Sequence, residues 1–89
     1  MARTYITTAT TTQCAPAAVS KVIVQVNATM TGTIAVIDGI TGSTPNIALI
    51  TNPIVGSQYE YWDFQNGVRI ITSVACDVSV NTFSGHGAK

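Results

Sequence analysis

Strict alternation of apolar and polar residues is the feature that most constrains the fold of this chain. In KVIVQVN, residues 21–27, valine occupies every second position, and Lys21, Gln25 and Asn27 point to the other face. The stretch VRIITSVACDVSVNTF, residues 68–83, repeats this pattern with valine, isoleucine and threonine. Such alternation is typical of strands with one face in a core, and β-branched residues fit a pleated surface well. No window shows a sustained helical repeat of apolar residues.

Turn signals separate the alternating stretches. They occur in the segments TMTGT, DGITGSTPN, TNPIVGSQ, QNG and SVACD. The QNGV segment predicts a hairpin, because Asn-Gly supplies the positive φ values of a type I′ turn. We therefore expect an all-β fold, an antiparallel β-sandwich or barrel of about six to seven short strands. The predicted strands are 3–8, 21–28, 33–38, 47–51, 58–64, 68–74 and 77–83.

The chain of 89 residues has the length of one domain. Residues 1–20 are rich in threonine and nearly without charge, which predicts either an extended N-terminal arm or an edge strand. Residues 21–84 are assigned to the β-sandwich domain. Residues 85–89, the segment GHGAK, are expected to form a flexible C-terminal tail.

Charged residues make up only 9% of the chain, against about a quarter in ordinary soluble domains. A monomer in water usually carries more charge, so we expect other copies or a partner to cover much of the surface. The net charge is zero and no basic stripe exists, which argues against nucleic acid as a partner. No apolar run approaches the roughly 18 residues of a membrane span. The first residues lack the apolar core of a secretory signal, so synthesis and retention in the cytoplasm are expected unless the protein leaves within an assembly.

The segment IAVIDGITGS, residues 34–43, could be a cation-binding loop or a plain turn. Asp38 is its only carboxylate, and no second one follows within a dozen residues. Calcium takes six to eight oxygen ligands, so this loop would depend on carbonyls and hydroxyls. Aspartate also stabilises turns by hydrogen bonding to its own backbone, and Gly39 tolerates positive φ. The turn interpretation is favoured, with no metal and no cofactor.

The chain offers few residues for catalysis, and we predict that it is not an enzyme. Its one histidine, His86, stands in a Gly-His-Gly tail that is badly placed for a base held by a third group, so we expect it to be solvated. Glu60 and Asp63 are three positions apart, so a regular strand, in which successive side chains alternate, would place them on opposite faces. Cys14 and Cys76 lack the spacing of a zinc site and are expected to be small buried hydrophobes, with a disulfide as the lesser alternative.

The aromatic segment YEYWDF, residues 59–64, is the most distinctive stretch. Parity places Tyr59 and Tyr61 on one face and Trp62 and Phe64 on the other, together with Glu60. Both faces of this strand therefore require a packing partner. We favour one face in the core and the other in a subunit interface, over a strand that serves the core alone or a platform for sugar. The interface candidates are Tyr59, Tyr61, Trp62, Phe64 and Arg69, the last as a partner in an inter-subunit salt bridge.

The order of these segments resembles a known family. The valine-alternating strand is followed by TIAVIDGITGS, then PNIALI, the aromatic strand, NGVRIITS and CDVSVNTF. Over residues 20–83 this is similar to small β-sandwich virion structural proteins of tailed bacteriophages, of the capsid decoration (cement) or head-fibre type. The resemblance implies a non-enzymatic protein, without catalytic residues, that forms a symmetric oligomer, with a trimer favoured. Residues 1–20 would then contact neighbouring subunits or the capsid shell.

These observations lead to an expected function. We expect a bacteriophage virion structural protein, made in the host cytoplasm, that stabilises the capsid as a decoration protein. Its partners would be the major capsid protein or another virion protein, and further copies of itself. A neck, tail or head-fibre component is the first alternative. A lectin-like sugar-binding β-sandwich, which would use the aromatic segment and the loop after Asp38, is the second.

Overall fold

The computed structural model describes residues 2–42 and 44–84, and this part of the chain contains strands and no helix. It therefore contains no helix that could cross a membrane. Eight strands form two four-stranded antiparallel sheets, so the all-β sandwich expected from the alternation is confirmed. In chain order they are β1 (Ala2–Ile6), β2 (Thr10–Ala15), β3 (Val19–Val26), β4 (Thr33–Asp38), β5 (Ala48–Thr51), β6 (Gln58–Phe64), β7 (Val68–Thr72) and β8 (Val78–Phe83).

The first sheet has the strand order β1-β8-β3-β6 and the second has the order β2-β7-β4-β5. Nearly every connection passes from one sheet to the other, and only β4 and β5 are consecutive in the chain and paired with each other. This topology overturns the hairpin predicted at QNGV. Strands β6 and β7 belong to different sheets, so residues 65–67 form a corner between the sheets instead of a two-residue hairpin.

The strand positions follow the sequence pattern closely, with one omission. Strands β4 and β6 have the predicted bounds, and the others differ at their ends by one to two residues. Strand β2 lies outside the seven predicted strands, because its sequence TTTQCA has no apolar alternation and residues 1–20 are predicted only as an arm or an edge strand. Its ladder with β7 also has a bulge between Gln13 and Ala15, which breaks the two-residue period.

The N-terminal segment is part of the sandwich. Strand β1 pairs with β8 at one edge of the first sheet, and β2 pairs with β7 at one edge of the second. Both segments are edge strands of the two sheets, and strand β3 begins at Val19. The division of the chain at residue 20 and the contacts of residues 1–20 with other chains stay predictions. The predicted tail, residues 85–89, lies outside the described residues.

The core lies between the two sheets and is built from the alternating positions. Val22, Val24 and Val26 of β3 are at most 1% exposed, and Val78 and Val80 of the neighbouring strand β8 lie beside them in the same sheet. The second sheet contributes six further buried side chains to the same cluster. They are Ala15, Ile34, Val36, Ile50, Val68 and Ile70. Burial of a valine or isoleucine side chain contributes about 1.5–3 kcal/mol each, so these positions dominate the stability.

One local irregularity changes the face of an aromatic residue. Asp63 has φ 64°, in the left-handed region that non-glycine residues seldom adopt. The paired strand β3 has the same break in alternation. Val19 and Val22 are both buried although they are three positions apart, which would place them on opposite faces of a regular strand. As a result Phe64 turns into the core and is 1% exposed, while Trp62 stays outside at 57%. The prediction that Trp62 and Phe64 share a face was therefore wrong.

Both cysteines are free thiols that pack beside the core. Burial raises the pKa of the Cys14 thiol above its ordinary value of 9.0, to about 11, although a hydrogen bond with Thr4 acts in the opposite direction. Burial also raises the pKa of Cys76. The thiolate is the nucleophile, so both cysteines are poor nucleophiles at neutral pH.

The raised pKa of Cys14 predicts slow alkylation. At pH 8 the thiolate fraction falls about a hundredfold when the pKa rises from 9 to 11, so iodoacetamide should modify folded Cys14 about a hundredfold more slowly than the unfolded chain. Between pH 9 and 11 the unfolded thiol loses its proton and the folded one keeps it. The free energy of unfolding should therefore fall with pH by about 1.4 kcal/mol per unit in that window. Cys14→Ala should lack this component. Equal alkylation rates at Cys14 in the folded and unfolded chains would contradict the burial of this thiol.

Candidate functional site

The outer face of the first sheet carries aromatic and charged side chains side by side. Strand register aligns Lys21 with Trp62 of β6 on one side and with Phe83 of β8 on the other. Next to this row, Ile23 is aligned with Glu60. We call this surface the aromatic face. Its members are Tyr5, Lys21, Ile23, Glu60, Trp62 and Phe83.

Lys21 is at the centre of the aromatic face. Its ammonium lies 5.9 Å from the ring centroid of Trp62 and also 5.9 Å from that of Phe83. The same Nζ lies 3.5 Å from Oε1 of Glu60. Cation–π and exposed ion-pair contacts each contribute about 0.5–1 kcal/mol. The contacts of Lys21 therefore position the Trp62 ring but add little to the stability of the fold. The charge of Glu60 is thereby paired within the chain.

Polar side chains of the central strand β8 form the base of this face. Ser79 and Asn81 are 6% and 7% exposed, although they point away from the core. Arg3 donates from Nε to Oδ1 of Asn81 at 2.9 Å. Asn27 donates from Nδ2 to the hydroxyl of Ser79, also at 2.9 Å. Because these polar groups are satisfied within the chain, they fix the surface on which the aromatic residues stand.

The five predicted interface residues do not form one surface. Tyr59 and Tyr61 are aligned with Val24 and Val22, so they face inward and pack against the core with part of each ring exposed. Burial, together with the neighbouring Tyr59, raises the pKa of Tyr61. Phe64 lies wholly in the core, so a single chain does not present it to a partner. Trp62 is the fully outward member of the set.

Arg69 lies apart from the aromatic segment, on the outer side of the second sheet. Its Nε donates to the carbonyl of Gly42 at 2.8 Å, and Nη1 lies 3.3 Å from Oε1 of Gln13 and from the carbonyl of Ile40. Arg69 therefore anchors the β4–β5 loop to the sheet. An inter-subunit salt bridge of Arg69 stays a prediction.

Asp38 joins two segments that are distant in sequence. Its carboxylate accepts the backbone N–H of Gln65 through Oδ2 at 2.9 Å and that of Asn66 through Oδ1 at 2.8 Å. The side chain thus stabilises the corner between β6 and β7, whereas the sequence predicted a hydrogen bond to its own turn. We call the contacts of Asp38 with residues 65–67 the Asp38 corner.

Three further hydrogen bonds surround the Asp38 corner. Gly39 donates its N–H to the carbonyl of Gly67 at 3.2 Å. The side chain of Asn46 accepts the backbone N–H of Asp38 through Oδ1 at 2.8 Å and donates from Nδ2 to the carbonyl of Asp38 at 3.2 Å. These two bonds extend the pairing of β4 and β5 through a side chain. Both carboxylate oxygens of Asp38 thus accept N–H donors, an arrangement that suits a structural cap. Among the described residues, no group of three or more His, Cys, Asp or Glu side chains could hold a metal ion.

Replacement of Asp38 by alanine should lower the free energy of unfolding by about 2 kcal/mol, because two N–H groups at the corner lose a charged acceptor. The loss should be independent of calcium. Asp38→Asn retains one acceptor oxygen and should lose less than Asp38→Ala. Urea unfolding with and without calcium measures both effects. A rise in wild-type melting temperature with calcium that is absent from Asp38→Ala would identify Asp38 as a ligand instead.

Two exposed apolar features were not predicted from the sequence. In the β5–β6 connection, Ile54 and Val55 are 64% and 58% exposed. They stand on a tight turn, in which Ser57 donates to the carbonyl of Ile54 at 3.1 Å and Gly56 has φ 88°. On the outer side of the second sheet Leu49 is 54% exposed. The turn chemistry of NPIVGS predicted a loop, but nothing in it distinguished outward from inward side chains.

His86 lies outside the described residues, so the structure does not bear on its predicted solvation.

Comparisons of the chain with protein-family models, with curated proteins and with solved structures found no match. The resemblance to phage virion proteins therefore rests on the sequence segments alone.

Proposed function

We propose that this chain is a non-enzymatic structural protein that acts by assembly, most specifically a bacteriophage capsid decoration protein. The observation that carries the proposal is the number of large apolar side chains that the single chain exposes. Tyr5, Ile54, Val55 and Trp62 are each more than half exposed, on a chain in which only 9% of residues are charged. Exposed apolar surface with so little charge is characteristic of contact sites between proteins.

The type of fold supports the same proposal. The two sheets present broad faces and four edge strands, and the strands themselves bury a single valine- and isoleucine-rich core. Function then resides in the outer faces and edges, which a structural protein uses to contact copies of itself and a shell. Location in a virion, and the major capsid protein or another virion protein as partner, follow from the resemblance of residues 20–83.

Co-sedimentation tests the decoration role. Capsids of a tailed phage whose genome encodes this chain should carry the purified protein into the pellet, and its absence from the pellet, together with a monomeric mass in solution, would contradict the proposal. Trp62→Ala should reduce the bound amount, while Ile40→Ala, at a similarly exposed residue of the β4–β5 loop, is the matched control. A major capsid gene beside the gene of this chain would support the same conclusion.

A lectin-like role is the second candidate, and Trp62 is the observation that favours it. Its ring is 57% exposed and lies beside Lys21 and Glu60, an arrangement of flat apolar surface with polar groups that suits sugar stacking. Isothermal titration against a glycan panel, with and without calcium, tests this role. Heat signals that disappear in Trp62→Ala would favour it, and silence across the panel would remove it.

A further inference from the structure

The free edge of β6 is the longest unpaired edge of the two sheets. Among the described residues, β1, β6, β2 and β5 each pair on one side only. Free edges attract other strands, and proteins protect them with charges, bulges or short length. Strand β1 carries Arg3, β2 has a bulge at Cys14, and β5 has only four residues. Strand β6 has seven residues and no proline, lysine or arginine, and its two charges are the acids Glu60 and Asp63, the latter next to the end of the strand.

Glu60, the charged residue in the middle of β6, does not protect the edge. Glu60 lies 3.5 Å from Lys21 and also accepts a hydrogen bond from Gln58 at 3.3 Å. Its charge is therefore matched within the aromatic face. An approaching strand meets Tyr59, Tyr61 and Trp62 along this edge, with Glu60 paired to Lys21 and the exposed Asp63 near the end of the strand.

The ladder between β3 and β6 shows which backbone groups point outward. At its start, Val26 donates to the carbonyl of Ser57 and accepts from Gly56, each at 2.9 Å. Bonded and non-bonded pairs alternate along antiparallel strands. The backbone groups of Tyr59 and Tyr61 therefore bond to β3. Those of Gln58, Glu60 and Trp62 point to the free edge.

We propose that β6 pairs antiparallel with β6 of a second copy, so that the first sheets of the two copies join into one eight-stranded sheet. This inference rests on the proposed function, since it names the partner in the assembly. The pairing is two-fold symmetric, which is the commonest symmetry of soluble oligomers. Residues 60 and 62 of both copies would form about four backbone hydrogen bonds across the axis.

Charge selects the register of this pairing. A two-fold axis at residue 60 would place the two Glu60 side chains directly opposite each other, which is destabilising. An axis at Tyr61 instead places Glu60 opposite the second copy's Trp62, which lies beside that copy's Lys21. Each carboxylate then meets an aromatic ring and an ammonium across the interface. The structure thus assigns the axis to Tyr61.

Substitutions at residue 60 test the pairing by light scattering during size-exclusion chromatography. The wild type should have twice the 9.3 kDa chain mass. Glu60→Pro removes an outward N–H without removing a bond to β3, so it should give a folded monomer. Glu60→Ala keeps that N–H and should remain a dimer. Glu60→Lys should be monomeric because its ammonium would lie opposite the second copy's Trp62, beside that copy's Lys21, and would also lose the 3.5 Å pair with Lys21 of its own chain. Lys21→Glu combined with Glu60→Lys restores opposite charges within and between the copies and should restore the dimer.

The outcomes separate this inference from the proposed function. A dimer that persists in folded Glu60→Pro and in Glu60→Lys, or a wild-type trimer, would overturn the β6 pairing and leave assembly intact. A wild-type monomer that does not bind capsids would overturn both. Circular dichroism reports whether each variant is folded. If Glu60→Pro does not fold, Glu60→Lys and its charge-reversed double variant decide the question.

Discussion

Phe64→Ala should lower the free energy of unfolding by about 4 kcal/mol. Phe64 is the largest fully buried side chain, at 1% exposure, and it is aligned with the buried Val19. Deletion of a buried aromatic ring removes its transfer free energy and leaves a cavity, at a total cost of about 3–5 kcal/mol. A domain of this length has only about 5–15 kcal/mol of stability in total, so the variant should be close to unfolding at room temperature.

The matched control is Trp62→Ala, two positions away on the same strand. Trp62 is 57% exposed and contacts Lys21 on the surface, so its loss should cost less than about 1 kcal/mol. Urea unfolding of the two variants gives the comparison directly. Equal losses at the two positions would contradict the reversal of side-chain direction at Asp63, and with it the inward position of Phe64.

Gly67→Ala should cost about 3 kcal/mol. Gly67 lies in the Asp38 corner with φ 142°, a conformation that costs a residue with a Cβ about 1–3 kcal/mol. A Cβ at this position would also lie 2.8 Å from the carbonyl oxygen of Ala15 and 3.1 Å from that of Gly39. Both are backbone atoms of neighbouring strand ends, so they cannot move aside without opening the corner.

Gly56→Ala separates the two causes. Gly56 has φ 88°, and a Cβ there would meet no atom within 4 Å. Its substitution should therefore cost only the backbone term, about 1 kcal/mol. Thermal unfolding of both variants measures the difference. If Gly67→Ala lost no more stability than Gly56→Ala, the tight approach of the Ala15 carbonyl would be refuted.

The part of the fold that the sequence could predict is the part that depends on burial. Valines at every second position of β3 and β8 allow only one face to enter a core, so these strands could be predicted with their faces. Alternation alone could not place strand β2, because its stability comes from pairing with β7 and from Gln13, whose Nε2 lies within 3.0 Å of the carbonyls of Ala15, Gly39 and Val68. Strand β7, Gly39 and Val68 are distant from Gln13 in sequence.

The candidate interface surface could be predicted only in composition. The YEYWDF segment identified an aromatic strand that needs two packing partners, and Trp62 is the exposed residue of that set. The direction of Phe64 depended on one backbone angle at Asp63, which parity cannot reveal. The role of Asp38 depended on the approach of residues 65 and 66 from another strand. The free edge of β6 depends on strand order, which local periodicity does not specify.

The mass of the wild-type chain in solution tests the central claim of assembly most directly. Sedimentation equilibrium over a wide range of concentrations should show a species of at least two copies, and any dissociation should occur only on dilution. The paired β6 edges predict a mass of twice 9.3 kDa. A single species with the mass of one chain at every concentration would contradict the account.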